Sequence, residues 1–199
     1  MRSDAPPLLP ILRSRHQAEL LTHLLLHPEQ EYSLTELGRL LDTPPTTIHR
    51  EVERLAKAGI VTERRVGRAR LVRANSTNRY LSPLTELVTL AFGPELVVGE
   101  EFQSLPGSDA AAIYGSWAAR YEGEAGPPPR DVDVLVIGSP DRGDLYEAAE
   151  RVEQRLSLPV NPTVCSRQRW VDGDDAFVRQ LKLAPLVWVL GTDPSDEAA

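Results

Sequence analysis

The sequence predicts an α+β protein made of two unlike parts. Up to about residue 75, apolar residues recur at helical spacing and lead into a short hairpin with a basic tip. From residue 108 onward, apolar strands and helical segments alternate, which predicts a mixed sheet covered by helices. Between these parts, residues 79–107 carry a wide apolar stripe interrupted at Gly93 and Pro94, which predicts a helical linker. The expected domains are residues 1–78, the linker, residues 108–192 and a disordered tail at 193–199.

Two helices separated by a short turn are expected in the first part. The segment Ser33-Leu34-Thr35-Glu36 matches a capping box, which begins a helix that runs to about Leu41. The residues 42–45 then break the chain, and Thr43 is expected to cap a second helix that ends near Gly59. The buried face of this second helix is predicted to carry Ile48, Val52, Leu55 and Ala58.

A hairpin with a basic tip follows the second helix, at residues 60–73. Helix, turn, helix and basic hairpin, in this order, form the arrangement of a winged helix-turn-helix, in which the second helix enters the major groove of DNA. The exposed candidates on that helix are Thr46, Thr47, His49 and Arg50. The hairpin adds Arg64, Arg65, Arg68 and Arg70, which suit phosphate contact. Double-stranded DNA is the predicted partner, and contact with another protein is the alternative.

Residues 12–75 resemble the winged DNA-binding domains of ArsR and MarR-type regulators, most clearly in residues 52–61. The resemblance implies transcription regulation. The apolar stripe of the linker and that of the first helix predict a homodimer surface, which suits palindromic operators. The residues of the first helix in this stripe are Ile11, Leu20, Leu21, Leu24 and Leu25.

The second part has polar residues at the ends of two apolar strands. Gly115 and Ser116 end the strand at 110–114, and Asp131 and Asp133 begin the strand at 131–137. Two acids at positions i and i+2 of a strand point to the same face of the sheet. Paired carboxylates hold Mg²⁺ through oxygen, and a Gly-Ser turn offers free amides to phosphate. This pattern predicts a site for ATP or another nucleoside triphosphate with Mg²⁺.

This order, Gly-Ser, a short helix and Asp-x-Asp on the next strand, resembles the nucleotidyltransferase superfamily of the polymerase-beta type over residues 108–192. The resemblance implies that Asp131 and Asp133 are catalytic metal ligands and that a third carboxylate lies on a later strand. Asn161 takes that position here, as a third metal ligand that cannot accept a proton.

Three functions are therefore weighed. The first is a DNA-binding regulator whose second domain binds a Mg²⁺-nucleotide. The second is an active nucleotidyltransferase that transfers a nucleotidyl group to a small molecule, RNA or protein, with the winged helix as a recruitment or autoregulatory module. The third is a protein-interaction module such as an antitoxin. Asn161 favours the regulator, because it removes the general base.

Charge separates the two parts of the chain. The formal net charge is −7, yet residues 1–80 hold 13 basic and 9 acidic side chains, whereas residues 81–199 hold 9 basic and 20 acidic ones. This division fits an anion-binding first part. A cytoplasmic protein with no membrane partner is expected, because no apolar run approaches a membrane span, the first residues lack a secretory signal, and Cys165 is the single cysteine.

Three histidines suggest a rival mechanism. His16, His23 and His27 are separated by seven and four positions and so share one helix face, a pattern that binds transition metals. The polar face of an amphipathic helix explains the same spacing, and no nearby cysteine or carboxylate completes a cage.

Overall fold

The computed structural model describes residues 12, 14–126 and 128–196. It has an α+β fold with two separate sheets, which confirms the predicted fold class. The chain divides into two compact units, Met1–Gly93 and Pro94–Ala199. The residues of the predicted linker are shared between them, since one of its helices belongs to the first unit and the next to the second.

The first unit contains helices and a small antiparallel sheet whose strand order is β1-β3-β2. Its elements are α1 (Arg15–Leu26), β1 (Tyr32–Ser33), α2 (Leu34–Leu40), α3 (Pro45–Lys57), β2 (Val61–Val66), β3 (Ala69–Ala74) and α4 (Leu81–Phe92).

The helix α2 begins with the predicted capping box. The Ser33 side chain accepts from the backbone N–H of Glu36, and the Glu36 carboxylate accepts from the backbone N–H of Ser33. The predicted cap of α3 was wrong, because Pro44 is the N-cap and makes no side-chain cap bond. The Thr43 hydroxyl instead donates to the carbonyl of Leu41, within the turn between the two helices.

The hairpin of β2 and β3 turns at Gly67, whose φ of 59° is in the left-handed region. Val61, Val72 and Ala74 bury one face of the hairpin. On the same face but nearer the tip, Arg65 lies opposite Arg70. Polar and charged side chains therefore occupy the exposed end of the face whose other end is buried.

The leucines of α1 are buried within the chain, and α1 packs against α4. Leu20, Leu21, Leu24 and Leu25 are at most 4% exposed, so the prediction that they form a dimer surface was wrong. An amphipathic stripe requires a partner, and here α4 supplies it. Ile11 lies outside the described residues.

Two of the three histidines are buried, His23 within α1 and His27 directly after it, which corrects their interpretation as a polar face. The rings of His23 and His27 are 5.0 Å apart, and the ring of His23 lies 4.8 Å from that of Tyr32. Burial, and to a smaller extent the neighbouring His27, lower the pKa of His23 to about 4. Within the described residues, no group of three or more His, Cys, Asp or Glu is placed to hold a metal ion.

The second unit is a four-stranded sheet of order β6-β5-β4-β7 with helices on both faces. The pair of β5 and β6 is parallel, and the other pairs are antiparallel. The elements are α5 (Pro94–Phe102), β4 (Ser108–Tyr114), α6 (Ser116–Tyr121), β5 (Val132–Gly138), α7 (Arg142–Leu156), β6 (Val160–Cys165), α8 (Arg167–Asp172), α9 (Ala176–Leu183) and β7 (Val187–Leu190).

The two faces of this sheet have different partners. Trp170, Val178 and Leu181, from α8 and α9, pack against the face that carries Leu135 and Ile137. Side chains alternate along β5, so Asp133 belongs to this face and Val132 to the other. The carboxylate thus lies on the same face as the apolar cluster, but at the opposite end of β5 from Ile137.

The C-terminal segment is described as far as residue 196. Asp193 accepts hydrogen bonds from the Trp170 indole N–H, at 2.8 Å, and from the backbone N–H of Ser195, at 2.8 Å. Residues 197–199 of the predicted tail lie outside the described residues.

One described stretch, Leu81–Phe102, has the length and composition that a membrane span requires, with a mean hydropathy of 1.3. Half of this stretch is buried inside the protein, as in the core helices of soluble proteins, which pass the same test.

The burial of His23 predicts acid sensitivity of the first unit. Its pKa in the folded state is below the ordinary 6.5. As the pH falls, the unfolded chain therefore takes up this proton at a higher pH than the folded protein does. The free energy of unfolding should therefore fall as the pH drops from about 6.5 to about 4, by a total on the order of 3 kcal/mol. Urea unfolding across this pH range measures the loss. His23→Phe should flatten the profile and the exposed His49→Gln should not; an unchanged slope in His23→Phe would contradict the assignment.

Candidate functional site

The end of β4 brings the backbone close to a carboxylate of β5. Gly115 has a φ of 69°, and a Cβ at this position would lie 2.8 Å from the Oδ2 atom of Asp133. Glycine meets both conditions, since it enters the left-handed region without strain and has no side chain. Ser116 then begins α6, so the predicted Gly-Ser turn lies beside the predicted Asp pair.

Asp131, Asp133 and Asn161 come together at one end of the parallel pair of strands. Asn161 of β6 is in register with Asp133 of β5, and Asp131 lies one residue before β5 begins. The amide nitrogen of Asn161 donates to Asp131 Oδ2 at 3.1 Å and to Asp133 Oδ1 at 3.1 Å. The nitrogen, not the oxygen, must face two ionised carboxylates, because an amide oxygen would repel both.

This donation offsets a repulsion between like charges. Two unit charges roughly 5 Å apart repel by about 1 kcal/mol in water and by about 3 kcal/mol at the effective dielectric constant of a protein surface. Asp131 and Asp133 are half-buried, so their repulsion falls between these limits. The two N–H groups of Asn161 lower it without bringing a full charge.

The donor set fits a hard cation. Carboxylate oxygens are ligands that Mg²⁺ takes in proteins, and because Gly115 has no Cβ, no side chain at that position crowds the Oδ2 atom of Asp133. Among the described residues, no third acid, cysteine or histidine joins the two carboxylates to form a metal-binding group.

Two hydroxyl groups near this pair were missed by sequence reasoning. Tyr114 is opposite Asp133 in the register of β4 and β5, and its phenol oxygen lies 3.2 Å from the Thr163 hydroxyl. Thr163 is two residues after Asn161 and shares its face. The tyrosine side chain therefore reaches across β5 and separates the carboxylates from the apolar cluster. Its position directly before Gly115 was the signal available in the sequence.

The first unit places exposed residues of α3 beside the hairpin. Thr46, His49 and Arg50 are exposed on α3, and Thr47 is half-buried. Arg70 donates to the Nε2 atom of His49 at 3.1 Å and also pairs with Glu63.

An open groove of about 490 Å³ lies between the helix and the hairpin. The His49 Nδ1 atom lies 3.5 Å from a carboxylate oxygen of Glu53, so the imidazole connects an arginine to an acid. The groove is lined by His49, Glu53, Glu63, Arg64, Arg65 and Arg70.

The hairpin arginines fall into two groups. Arg64 donates to both carboxylate oxygens of Glu31, and these bonds hold the pKa of Glu31 below its ordinary value. Arg70 is paired with Glu63, as above. Arg65 and Arg68 are exposed and make no ion pair with any residue that the structure describes. The four predicted phosphate contacts are therefore unequal in their freedom to move.

A buried acid on α3 was not expected. Glu51 is 3% exposed, pairs with Arg54 and lies 3.8 Å from the Nε atom of Arg50. Its Oε2 atom has no hydrogen-bond partner among the described residues. The helical spacing of apolar residues did not indicate an acid among the buried residues of α3.

No protein-family model matches the chain, and no curated protein matches it. One solved structure, described as the crystal structure of a mutant of the toxin-antitoxin MntA-HpeT, is similar over 52% of this chain and 78% of that chain. The sequence identity is 14% and the TM-score is 0.36, which is too low to assign a function to this chain.

The close approach at Gly115 predicts that a substitution there changes both stability and metal binding, whereas a substitution at Gly67 changes stability alone. Gly115→Ala and Gly67→Ala both force alanine to a positive φ and should each lower the free energy of unfolding by about 1 kcal/mol. A Cβ at Gly67 meets nothing within 4 Å, whereas at Gly115 it displaces the Asp133 carboxylate.

Only Gly115→Ala should therefore also weaken Mg²⁺ binding. Urea unfolding and calorimetry with Mg²⁺ measure the two effects. Equal Mg²⁺ affinity in both variants would show that Gly115 does not shape the site.

Proposed function

We propose that this protein is a DNA-binding transcriptional regulator of the cytoplasm. Its first unit acts as a winged helix-turn-helix, and its second, of the nucleotidyltransferase type, binds a Mg²⁺-nucleotide. The observation that carries the DNA assignment is the bond from Arg70 to His49. It joins the hairpin, or wing, to the exposed face of α3, so that groove-reading and phosphate-binding residues form one continuous surface.

The two groups of arginines have different parts in this proposal. Arg65 and Arg68 are free to meet phosphates, whereas Arg64 and Arg70 must first exchange Glu31 and Glu63 for the DNA. Arg50, together with Thr46, Thr47 and His49, supplies contacts to base edges from the N-terminal half of α3. Affinity for any duplex thus depends mainly on Arg65 and Arg68, and preference for one sequence depends on α3.

Replacing Arg65 and Arg68 by alanine should weaken binding to all duplexes. Each lost phosphate contact lowers the slope of log affinity against log salt concentration by about 0.9. Fluorescence anisotropy with one labelled duplex at several salt concentrations measures the change. Arg142→Ala, an exposed arginine at the start of α7, is the matched control and should leave the slope unchanged.

Arg50→Ala should instead reduce the preference for particular sequences when bound DNA is selected from a random pool. If Arg65→Ala/Arg68→Ala keeps the slope of the parent protein, the hairpin does not contact DNA. Binding of a protein in place of DNA would support the interaction-module alternative.

The nucleotide assignment is supported by Asp131 and Asp133 converging beside the turn at Gly115 and Ser116. When bound there, Mg²⁺ would neutralise the phosphate chain of a nucleoside triphosphate. The two carboxylates would hold the ion, and the turn would approach a phosphate through its backbone. Tyr114 and Thr163 would line the adjoining part of the sheet face.

Calorimetry with ATP and Mg²⁺ should detect binding to the parent protein and none to Asp131→Asn/Asp133→Asn, because neutral amides do not provide the negative field that a hard cation needs. Asp144→Asn changes an exposed carboxylate in the first turn of α7 and should bind like the parent. Equal binding by the double variant would remove the metal site from the proposal.

The enzymatic alternative is disfavoured by Asn161, since an amide in register with Asp133 cannot act as a general base. Rapid transfer of label from a nucleoside triphosphate to a small molecule, RNA or protein would replace the regulator by a transferase. A homodimer remains part of the proposal, with the exposed Leu87 and Leu90 of α4 as its apolar contacts.

A further inference from the structure

The orientation of the Asn161 amide bears on how the candidate site takes a cation. Both N–H groups of this amide are directed at carboxylates, one at Asp131 and one at Asp133. Only the amide oxygen is able to ligate a metal, and it is not the atom that contacts the carboxylates. Asn161 in this orientation therefore lowers the repulsion between the two carboxylates without being a metal ligand.

A cation bound by both Asp131 and Asp133 would occupy the position of the Asn161 amide nitrogen. Mg²⁺ binds carboxylate oxygens at about 2.1 Å and demands a nearly ideal octahedron. The nitrogen lies 3.1 Å from an oxygen of each aspartate, between the two groups that the ion would bridge. The amide nitrogen and an ion bound between these two oxygens therefore cannot be present at the same time.

We infer that Asn161 is a surrogate cation, which holds Asp131 and Asp133 together in the absence of metal and competes with Mg²⁺ for them. The inference rests on the proposed function, because it concerns how that same site takes its metal. Mg²⁺ alone must displace two hydrogen bonds and gains only two carboxylates. Mg²⁺ that arrives with a triphosphate brings further oxygen ligands, so the site is selective for the metal-nucleotide complex over the free ion.

The direction in which one substitution changes the Mg²⁺ affinity shows whether Asn161 is a competitor or a ligand. Asn161→Ala removes both the N–H donors and the amide oxygen, and Asn161 is exposed, so the fold should tolerate the change. If Asn161 competes, Asn161→Ala should bind free Mg²⁺ about three- to tenfold more tightly than the parent, since charge-assisted hydrogen bonds no longer oppose the ion. If Asn161 is a ligand, the same variant binds Mg²⁺ more weakly.

A second readout needs no metal. In the presence of a chelator, Asn161→Ala and the similarly sized Asn161→Leu should melt roughly 2–4 °C below the parent, because the two carboxylates then face each other without a donor. Val164→Ala, on the same strand with its side chain on the opposite face, is the matched control and should not change Mg²⁺ affinity.

Calorimetry and thermal unfolding of the full chain, with Mg²⁺ alone and with Mg²⁺ and ATP, decide the question. Tighter binding of free Mg²⁺ by Asn161→Ala and Asn161→Leu, together with lower melting temperatures in chelator, supports the inference. Weaker or equal Mg²⁺ binding, or unchanged melting temperatures, overturns it and leaves the proposed nucleotide function standing. Absence of Mg²⁺ binding in the parent and all variants, even with ATP, overturns both.

Discussion

The parallel register of β5 and β6 is the constraint on which the candidate nucleotide site depends. It sets Asp133 opposite Asn161 and Leu135 opposite Thr163, so polar groups occupy one end of a face that is apolar further along. A slip of one residue would turn Asn161 to the other face and replace it with Pro162 or Val160. The backbone N–H of Val132 bonds to the carbonyl of Pro159 at 2.8 Å, which secures the register where the acids begin.

In the first unit, acidic side chains offset part of the positive charge of the hairpin. Its basic surface is partly neutralised by its own acids, since Glu31 and Glu63 pair with two of the four hairpin arginines. Exposed ion pairs of this kind contribute little to stability. In the proposed binding of DNA their effect would be larger, because every ion pair that a phosphate must replace lowers the free energy gained from that contact. If the first unit binds DNA as proposed, such a surface would have a modest affinity for any duplex and would leave more of the discrimination to α3.

Much of the fold was predictable because its signals are local. The capping box at Ser33, the turn at Gly67 and the strands beside Gly115 and Asp131 each depend on a few neighbouring residues. Contacts between distant side chains were not predictable in this way. The Arg70–His49 bond, the reach of Tyr114 to Thr163 and the burial of His23 join residues that no local period relates.

The stripe of α1 illustrates the same limit. Its leucines predicted an apolar partner correctly but gave no indication that α4 of the same chain provides it. The adjacency of Asn161 to the two aspartates was implied by the resemblance to the nucleotidyltransferase superfamily, whereas the donation by its nitrogen depended on the side-chain geometry.

The junction between the units is formed by residues that end a helix. A Cβ at Gly93 would lie 2.3 Å from the carbonyl oxygen of Thr89, so no other residue is accommodated there without rearrangement. Pro94 then begins α5 without a backbone donor. If a nucleotide in the second unit is to change DNA binding by the first, it must bind two states of the protein with different affinity, and DNA must then change nucleotide affinity by the same factor. The chain passes from one unit to the other between α4 and α5, so substitution of Gly93 or Pro94 is the direct test of whether such coupling depends on this connection.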